Sequence, residues 1–194
     1  MNEDKVKCVV CGDLVPGYST IYVSGTEGCR CHCHRCYNKI ISKMMGLDFE
    51  HPAFEPIILK DRDEVSHEFR FRTHLVPTGL FIEAHEFKNG EIDGYEFQVA
   101  GPFEADPLAL FGQLFEKIRR ALSRKHIVAG QHSLQITDEG LVRGVIQWDE
   151  DTGGTLPRLV IDGKSVTWEE FGRMLMTYEG WQFKIEIYDG TEER

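Results

Sequence analysis

No cysteine occurs after Cys36 in this chain of 194 residues, although six occur up to that point. The long remainder must therefore fold without disulfides or thiolate metal ligands. Apolar residues make up 41% of the chain and charged residues 28%, which are ordinary shares for a globular protein and exclude a disordered or fibrous chain. We therefore expect two parts, a small cysteine-rich one and a larger one with an apolar core.

The sequence also lacks the run of about 18 apolar residues that a membrane span requires. Its first four residues include two acids, whereas a secretory signal peptide needs a basic start and an apolar run. We therefore expect a cytoplasmic protein without a membrane partner. In that reducing compartment, closely spaced cysteines are more often metal ligands than disulfides.

An excess of basic charge is missing as well. Acidic residues outnumber basic ones by 32 to 22, and the formal net charge is −10. This charge disfavours nucleic acid as a partner, because a polyanion is repelled by most of the surface. Residues 1–47 (the N-terminal segment) carry a small basic excess, but four thiolates around one Zn²⁺ would cancel it.

The cysteines form two groups with the spacing of metal ligands. Cys8 and Cys11 form a CxxC pair, and Gly12 after it permits the tight turn of a knuckle whose backbone amides face the sulfurs. Cys33 and Cys36 form a second CxxC pair, which directly precedes a predicted helix. Two such pairs are a specific indication of a metal site.

A hairpin and a helix are predicted around the second pair. Residues 20–24 are typical of a strand and 25–28 of a turn, and residues 37–45 carry an apolar helical stripe that Gly46 ends. The order of knuckle, hairpin and helix resembles the treble-clef zinc finger over about residues 6–46. The residues that match the ligand positions of that family are Cys8, Cys11, Cys33 and Cys36.

Four thiolates suit one Zn²⁺ per chain, because the ion accepts a closed tetrahedral set that leaves no place for water. Such a site is structural. A segment of this size buries little apolar surface, so we expect the metal to supply its folding free energy.

The second cysteine group has more donors than one ion needs. The alternative ligands are Cys29, Cys31, His32 and His34. Two CxxH spacings among them compete with the Cys33/Cys36 pair, which we favour because it adjoins the helix. The two extra cysteines are either spare thiols in a hairpin strand or, beside Arg30 and Arg35, a second weaker metal site or a redox-sensitive pair. We expect the two histidines to be exposed neighbours of the ligands.

Residues 48–190 are predicted to form an α+β domain with a largely antiparallel sheet and two packed helices, followed by a frayed acidic tail at 191–194. Residues 48–56 form the connection. A three-strand meander starts at residue 65 and turns at Pro77–Thr78 and at Asn89–Gly90.

The predicted register of the meander sends the same side chains of the middle strand inward on both sides. It places Leu75 opposite Leu80 and Phe71 opposite Ala84, and on the other side Ala84 opposite Tyr95. The outer face carries mixed charges, which usually form a solvated ladder and less often a polar binding surface. Its residues are Arg70, Arg72, His74, Glu83, His85 and Glu96.

Further elements complete the predicted domain. Asp106–Pro107 starts a helix to about residue 127, and a T-x-x-E capping box at Thr167 starts another that ends at Gly180. The predicted strands are 132–137 with 141–148 as a hairpin, 158–161 before a turn at 162–163, and an alternating last strand at 181–188. The helix that starts at Asp106–Pro107 has a basic face, formed by Lys117, Arg119, Arg120, Arg124 and Lys125.

The sequence contains no recognisable catalytic motif, and residues 48–194 resemble no family of known activity. The chain as a whole resembles bacterial proteins with an N-terminal zinc finger. The leading hypothesis is a non-enzymatic zinc-binding protein whose α+β domain binds a protein partner. One alternative is an enzyme with a histidine and carboxylate pocket built from His67, His74 or His85. A second alternative is nucleic-acid binding by the finger and the basic helix face. The sequence indicates no oligomeric state.

Overall fold

The computed structural model describes residues 5–25, 28–130 and 133–192, and it shows an α+β protein. The helices in these ranges are α1 (His34–Met45), α2 (Pro107–Leu122) and α3 (Trp168–Leu175). None of the three is both long and apolar enough to cross a membrane. All strand pairings between described residues are antiparallel.

The N-terminal segment contains two short hairpins and the first helix. Strand β1 (Lys5–Lys7) pairs with β2 (Leu14–Pro16), and β3 (Thr20–Gly25) pairs with β4 (Gly28–Cys33). The predicted hairpin and helix are confirmed, although α1 already begins at His34 and the tip of the turn, residues 26–27, lies outside the described ranges. Gly46 ends α1 in the left-handed conformation, at φ 67°.

The central sheet has the order β5-β6-β7-β8. Its strands are β5 (Ile57–Lys60), β6 (Ser66–Val76), β7 (Gly79–Lys88) and β8 (Glu91–Gly101). The last three form the predicted meander, whereas β5 was not predicted. Helix α2 covers the inner face, where its buried residues Leu114 and Ile118 pack with Phe69, Leu80 and Ile82.

The register is confirmed on one side of β7 and wrong on the other. Leu75 faces Leu80 as predicted, but Ala84 faces Phe97 and not Tyr95. The shift arises at a bulge beyond His85, where the buried Glu86 carboxylate accepts a hydrogen bond of 2.9 Å from the Tyr95 N–H. Because the shift is two residues, the inward side chains keep their face.

Helix α2 starts as predicted and ends earlier than predicted. The Asp106 carboxylate caps it by accepting from the Leu108 N–H at 2.9 Å. The helix stops at Leu122 rather than near residue 127, because the N–H groups of His126 and Ile127 donate to the Asp162 carboxylate at 2.6 and 2.8 Å. These bonds turn the chain into the next strand.

The C-terminal part forms two further sheets around its own apolar cluster. Strand β9 (Ile127–Ala129) pairs with β10 (Leu134–Ile136), and β11 (Val145–Trp148), β12 (Pro157–Ile161) and β13 (Lys164–Thr167) form the other sheet. The predicted hairpin of residues 132–137 with 141–148 is therefore wrong. The predicted turn at Asp162–Gly163 is confirmed, and His132 lies outside the described ranges.

The capping box of α3 is confirmed by the reciprocal bonds of Thr167 and Glu170, and one 3-10 turn extends the helix to Tyr178. The predicted last strand at 181–188 is wrong, since no strand is assigned after Thr167 in the described residues. Alternation alone does not make a strand, because a strand also needs ladder hydrogen bonds to a neighbouring strand. The acidic tail, predicted to be frayed, forms a turn at Thr191 on the Asp189 carboxylate, while residues 193–194 are not described.

Helix α1 hydrogen-bonds to the edge of the sheet through Asn38, which is fully buried. Strand β5 pairs with β6 as far as Phe69, and beyond it the Asn38 carboxamide donates to Thr73 O at 2.7 Å and accepts from Leu75 N–H at 2.9 Å. The same amide nitrogen lies 2.9 Å from His51 Nδ1. The carboxamide thus bonds the edge of β6 as a neighbouring strand would.

We predict that Asn38→Ala lowers the free energy of unfolding by about 2 to 4 kcal/mol, because it leaves two buried backbone groups of β6 unpaired. Lys39→Ala, on the exposed face of the same helix, serves as the control and should change stability by less than about 0.5 kcal/mol. Urea unfolding followed by tryptophan fluorescence measures both. Equal midpoints for the two variants would contradict the prediction.

Candidate functional site

The structure brings together one sulfur cluster, formed by the two CxxC pairs. One sulfur from each of Cys8, Cys11, Cys33 and Cys36 lies within 4.8 Å of the others. The Sγ atoms of Cys11 and Cys33 are 3.9 Å apart. Sulfurs around a tetrahedral Zn²⁺ are separated by about 3.8 Å, as follows from a Zn–S bond of about 2.3 Å. The donor set and its spacing therefore fit a metal ion.

Two local structures position the sulfurs. In the knuckle, the Gly12 N–H bonds to Cys8 O at 3.0 Å, and Gly12 adopts a φ of 79° that disfavours a side chain. Cys33 is the N-cap of α1, and its Sγ accepts from the Cys36 N–H at 3.4 Å. The Cys33 N–H in turn donates to Cys8 Sγ at 3.3 Å. Backbone donors thus already face the sulfurs, as the CxxC pattern predicts.

The cluster favours negative charge at one sulfur and opposes it at another. Burial alone would raise the pKa of Cys8, but N–H groups of Cys11, Cys33 and Val10 outweigh it and lower that pKa to about 6. Burial and the neighbouring sulfurs raise the pKa of Cys36. Four thiolates can share this space when a dication offsets their charge.

The alternative donors lie outside the cluster. Cys29 and Cys31 are on β4, opposite Ser24 and Tyr22. Successive residues on one face of a strand are about 6.6 Å apart, so both thiols sit progressively farther from Cys33 and its cluster. Cys29 is exposed and Cys31 is buried, and both are free thiols in the structure.

The expectation that His32 and His34 are exposed is wrong, since both are buried. His32 Nδ1 lies 3.2 Å from Arg30 O. His34 packs edge-on against His74, with the ring centroids 4.6 Å apart, because the N-terminal segment covers part of the outer face of the sheet. Burial, together with nearby His74 and Arg72, lowers the pKa of His34 to about 3.

The covered outer face is thus not a solvated ladder. Arg72 lies opposite Glu83 in the strand pairing, but the Glu83 carboxylate contacts His74 Nε2 at 2.9 Å and His85 Nε2 at 3.1 Å. Burial alone would raise the pKa of Glu83, and its two histidine partners hold it well below its ordinary value. Arg70 packs on the Phe87 ring at 4.3 Å.

A cleft of about 200 Å³ lies where the N-terminal segment meets the sheet. Its lining includes Tyr18, His34, His51, Phe54, Phe71 and Arg72. The histidines considered for acid–base chemistry, His67, His74 and His85, are not among the residues that line it. The two histidines on Glu83 lie outside this cleft and are packed against one carboxylate.

His67 belongs to a different, buried group. Its Nδ1 lies 2.6 Å from Glu86 Oε1, and its Nε2 lies 3.4 Å from Asp61 Oδ2, which Lys125 Nζ contacts at 2.6 Å. Lys88 bonds both Glu86 and Gly163 O, at 3.4 and 2.8 Å. The group was missed in the sequence, because acidic residues on exposed and buried positions look alike until the strands are paired.

At least three of the five cations on the predicted basic face of α2 and the loop after it contact other groups of the molecule. Lys117 donates to Gln98 O and Gly190 O, and Lys125 pairs with Asp61 and Asp63. Arg119 pairs with Glu116 at 3.0 Å. These contacts reduce the basic surface available for a nucleic acid.

Comparison with known proteins divides the chain at the end of α2. Residues 50–123 match the family model described as Domain of unknown function (DUF7686). Residues 124–192 match a second, Domain of unknown function (DUF7713). The sulfur cluster precedes both matched regions. No curated protein matches the chain, and no solved structure does.

We predict that His67 makes the stability of the folded protein pH-dependent. Glu86 and Asp61 favour the imidazolium and raise the pKa of His67 above its ordinary 6.5. The stabilisation is therefore complete below pH 6.5 and is lost as the pH rises through the raised pKa. The measurement is urea unfolding of wild type and His67→Gln at a series of pH values that starts below 6.5 and rises through the raised pKa of His67. The stability difference should shrink as the pH rises; a constant difference would refute the assignment.

Proposed function

We propose that this chain is a non-enzymatic zinc-binding protein, in which a structural zinc finger is joined to an α+β protein-interaction domain. The observation that carries this proposal is the sulfur cluster, because four cysteine donors complete the coordination of one Zn²⁺. A closed set leaves no position for water or substrate, which supports a structural role. The proposed ligands are Cys8, Cys11, Cys33 and Cys36.

The finger is proposed to be of the treble-clef type. The order of elements supports this, since two sulfurs come from a knuckle after β1 and two from the start of α1, with the β3–β4 hairpin between them. In the described residues, the small apolar cluster of Cys8, Cys33 and Cys36 adds only Val15, so little besides a metal would stabilise this segment. We place the protein in the cytoplasm, where reduced thiols can bind zinc.

A protein is the proposed partner of the α+β domain. Large apolar side chains are exposed in its C-terminal part, including Trp148 on β11 with 70% of its surface accessible. Exposed apolar groups of this size indicate contact with another protein surface. Nucleic acid is a poor alternative, given the net charge of −10 and the internal use of Lys117 and Lys125.

We predict about one zinc per chain in protein purified under reducing conditions. Cys33→Ser should lose most of the metal, because it removes one of the four sulfurs of the cluster. Cys29→Ser is the matched control, since this exposed thiol lies on the same strand outside the cluster, and it should keep the metal. Elemental analysis of the three proteins gives the stoichiometry.

Wild-type protein without metal would refute the zinc centre. Equal metal loss in the two variants would refute the ligand set. In wild type, a strong chelator should also remove the far-ultraviolet helical signal of α1 while the central sheet remains folded.

A further inference from the structure

The segment of residues 181–188 (the C-terminal segment) exposes apolar side chains in strict alternation. Trp181, Phe183, Ile185 and Ile187 have 74, 85, 69 and 77% of their surface accessible. Between them stand Gln182, Lys184 and Glu186. No strand is assigned to this segment in the described part of the chain. An alternating apolar segment without a sheet neighbour is a template for pairing with another strand.

Both ends of the C-terminal segment are held by the rest of the molecule. The Trp181 N–H donates to Tyr178 O at 2.9 Å, and the two rings meet at a centroid distance of 5.5 Å. At the other end, Lys117 Nζ donates to Gly190 O at 2.6 Å. The segment is therefore presented to a partner between two fixed points, which lowers the entropy lost on binding.

We propose that the C-terminal segments of two copies of this chain pair as antiparallel strands about a two-fold axis at Ile185. The inference names the partner of the interaction role proposed above and rests on that part of it, not on the zinc centre. It places Phe183 of each copy opposite Ile187 of the other. A two-fold interface of this kind joins one surface patch to itself.

Charge selects both the register and the partner. Lys184 Nζ and Glu186 Oε1 already contact each other within one chain. With the axis at Ile185, Lys184 of each copy also faces Glu186 of the other, so the polar face carries two opposite-charge pairs between the copies. An axis at Lys184 would place two lysines opposite each other, and an axis at Glu186 would do the same for two glutamates. A parallel in-register pair would align like charges as well. The segment is complementary to its own antiparallel copy.

The first test is the oligomeric state of the full, zinc-loaded chain, measured by sedimentation equilibrium over a concentration series. Wild type should dimerise. Ile185→Lys puts two cations at the axis and should raise the dimer dissociation constant at least tenfold. Ile58→Lys is the matched control, because Ile58 on β5 also has 69% of its surface accessible, and it should dimerise like wild type.

The second test reverses the charges. Lys184→Glu places a carboxylate of each copy against Glu186 of the other and should weaken the dimer about three- to tenfold. Adding Glu186→Lys exchanges both charges and should restore the wild-type constant. A different protein as partner predicts no such restoration.

Three outcomes overturn the proposal: a monomeric wild type at all concentrations, a dimer that Ile185→Lys leaves intact, or a failure of the double exchange to restore the dimer. Zinc content and the urea midpoint are measured for every variant, so that misfolding is detected. A monomer that holds one zinc refutes the dimer and leaves the proposed zinc centre intact. A dimer without metal refutes the zinc centre and leaves the proposed dimer intact.

Discussion

Four thiol sulfurs within 4.8 Å of one another cannot all ionise unless a cation offsets their charge. This constraint joins elements that share few other contacts, namely the knuckle, the end of β4 and the first turn of α1. Once its first turn is fixed, a helix has a fixed direction. Asn38 lies one turn further and meets the edge of β6. The place of the N-terminal segment on the sheet therefore depends on the sulfur cluster.

The two apolar clusters of the α+β part are joined by polar contacts. Lys125 reaches back to Asp61, Lys88 reaches forward to Gly163 O, and Asp162 holds the backbone that leaves α2. Buried ionic contacts of this kind add little net stability, because desolvation offsets their attraction. They do fix the direction and the distance at which the two apolar clusters face each other. These polar contacts therefore specify how the two clusters are placed. The apolar packing within each cluster provides most of the free energy of folding.

Local signals in the sequence predicted much of this fold, and the failures occur where distant residues decide. The cysteine spacing, the turn at Asn89–Gly90 and the capping box at Thr167 act over a few residues, and all three appear in the structure. The bulge depends on a buried Glu86 carboxylate, and the end of α2 depends on Asp162, far along the chain. Neither interaction leaves a periodic pattern. The role of Asn38 was hidden for the same reason, because a polar residue on a short helix is usually exposed.

Strand β5 pairs with the first four of the eleven residues of β6, and a single carboxamide from α1 bonds to the backbone beyond them. The edge of β6 beyond β5 is therefore covered as long as α1 stays in place. If the N-terminal segment unfolds, the C=O group of Thr73 and the N–H group of Leu75 lose their Asn38 partner beside the apolar residues of the inner face. An uncovered edge of this type recruits strands from other molecules. If the sulfur cluster holds a metal ion as proposed, the first consequence of losing it would be aggregation of a still-folded sheet.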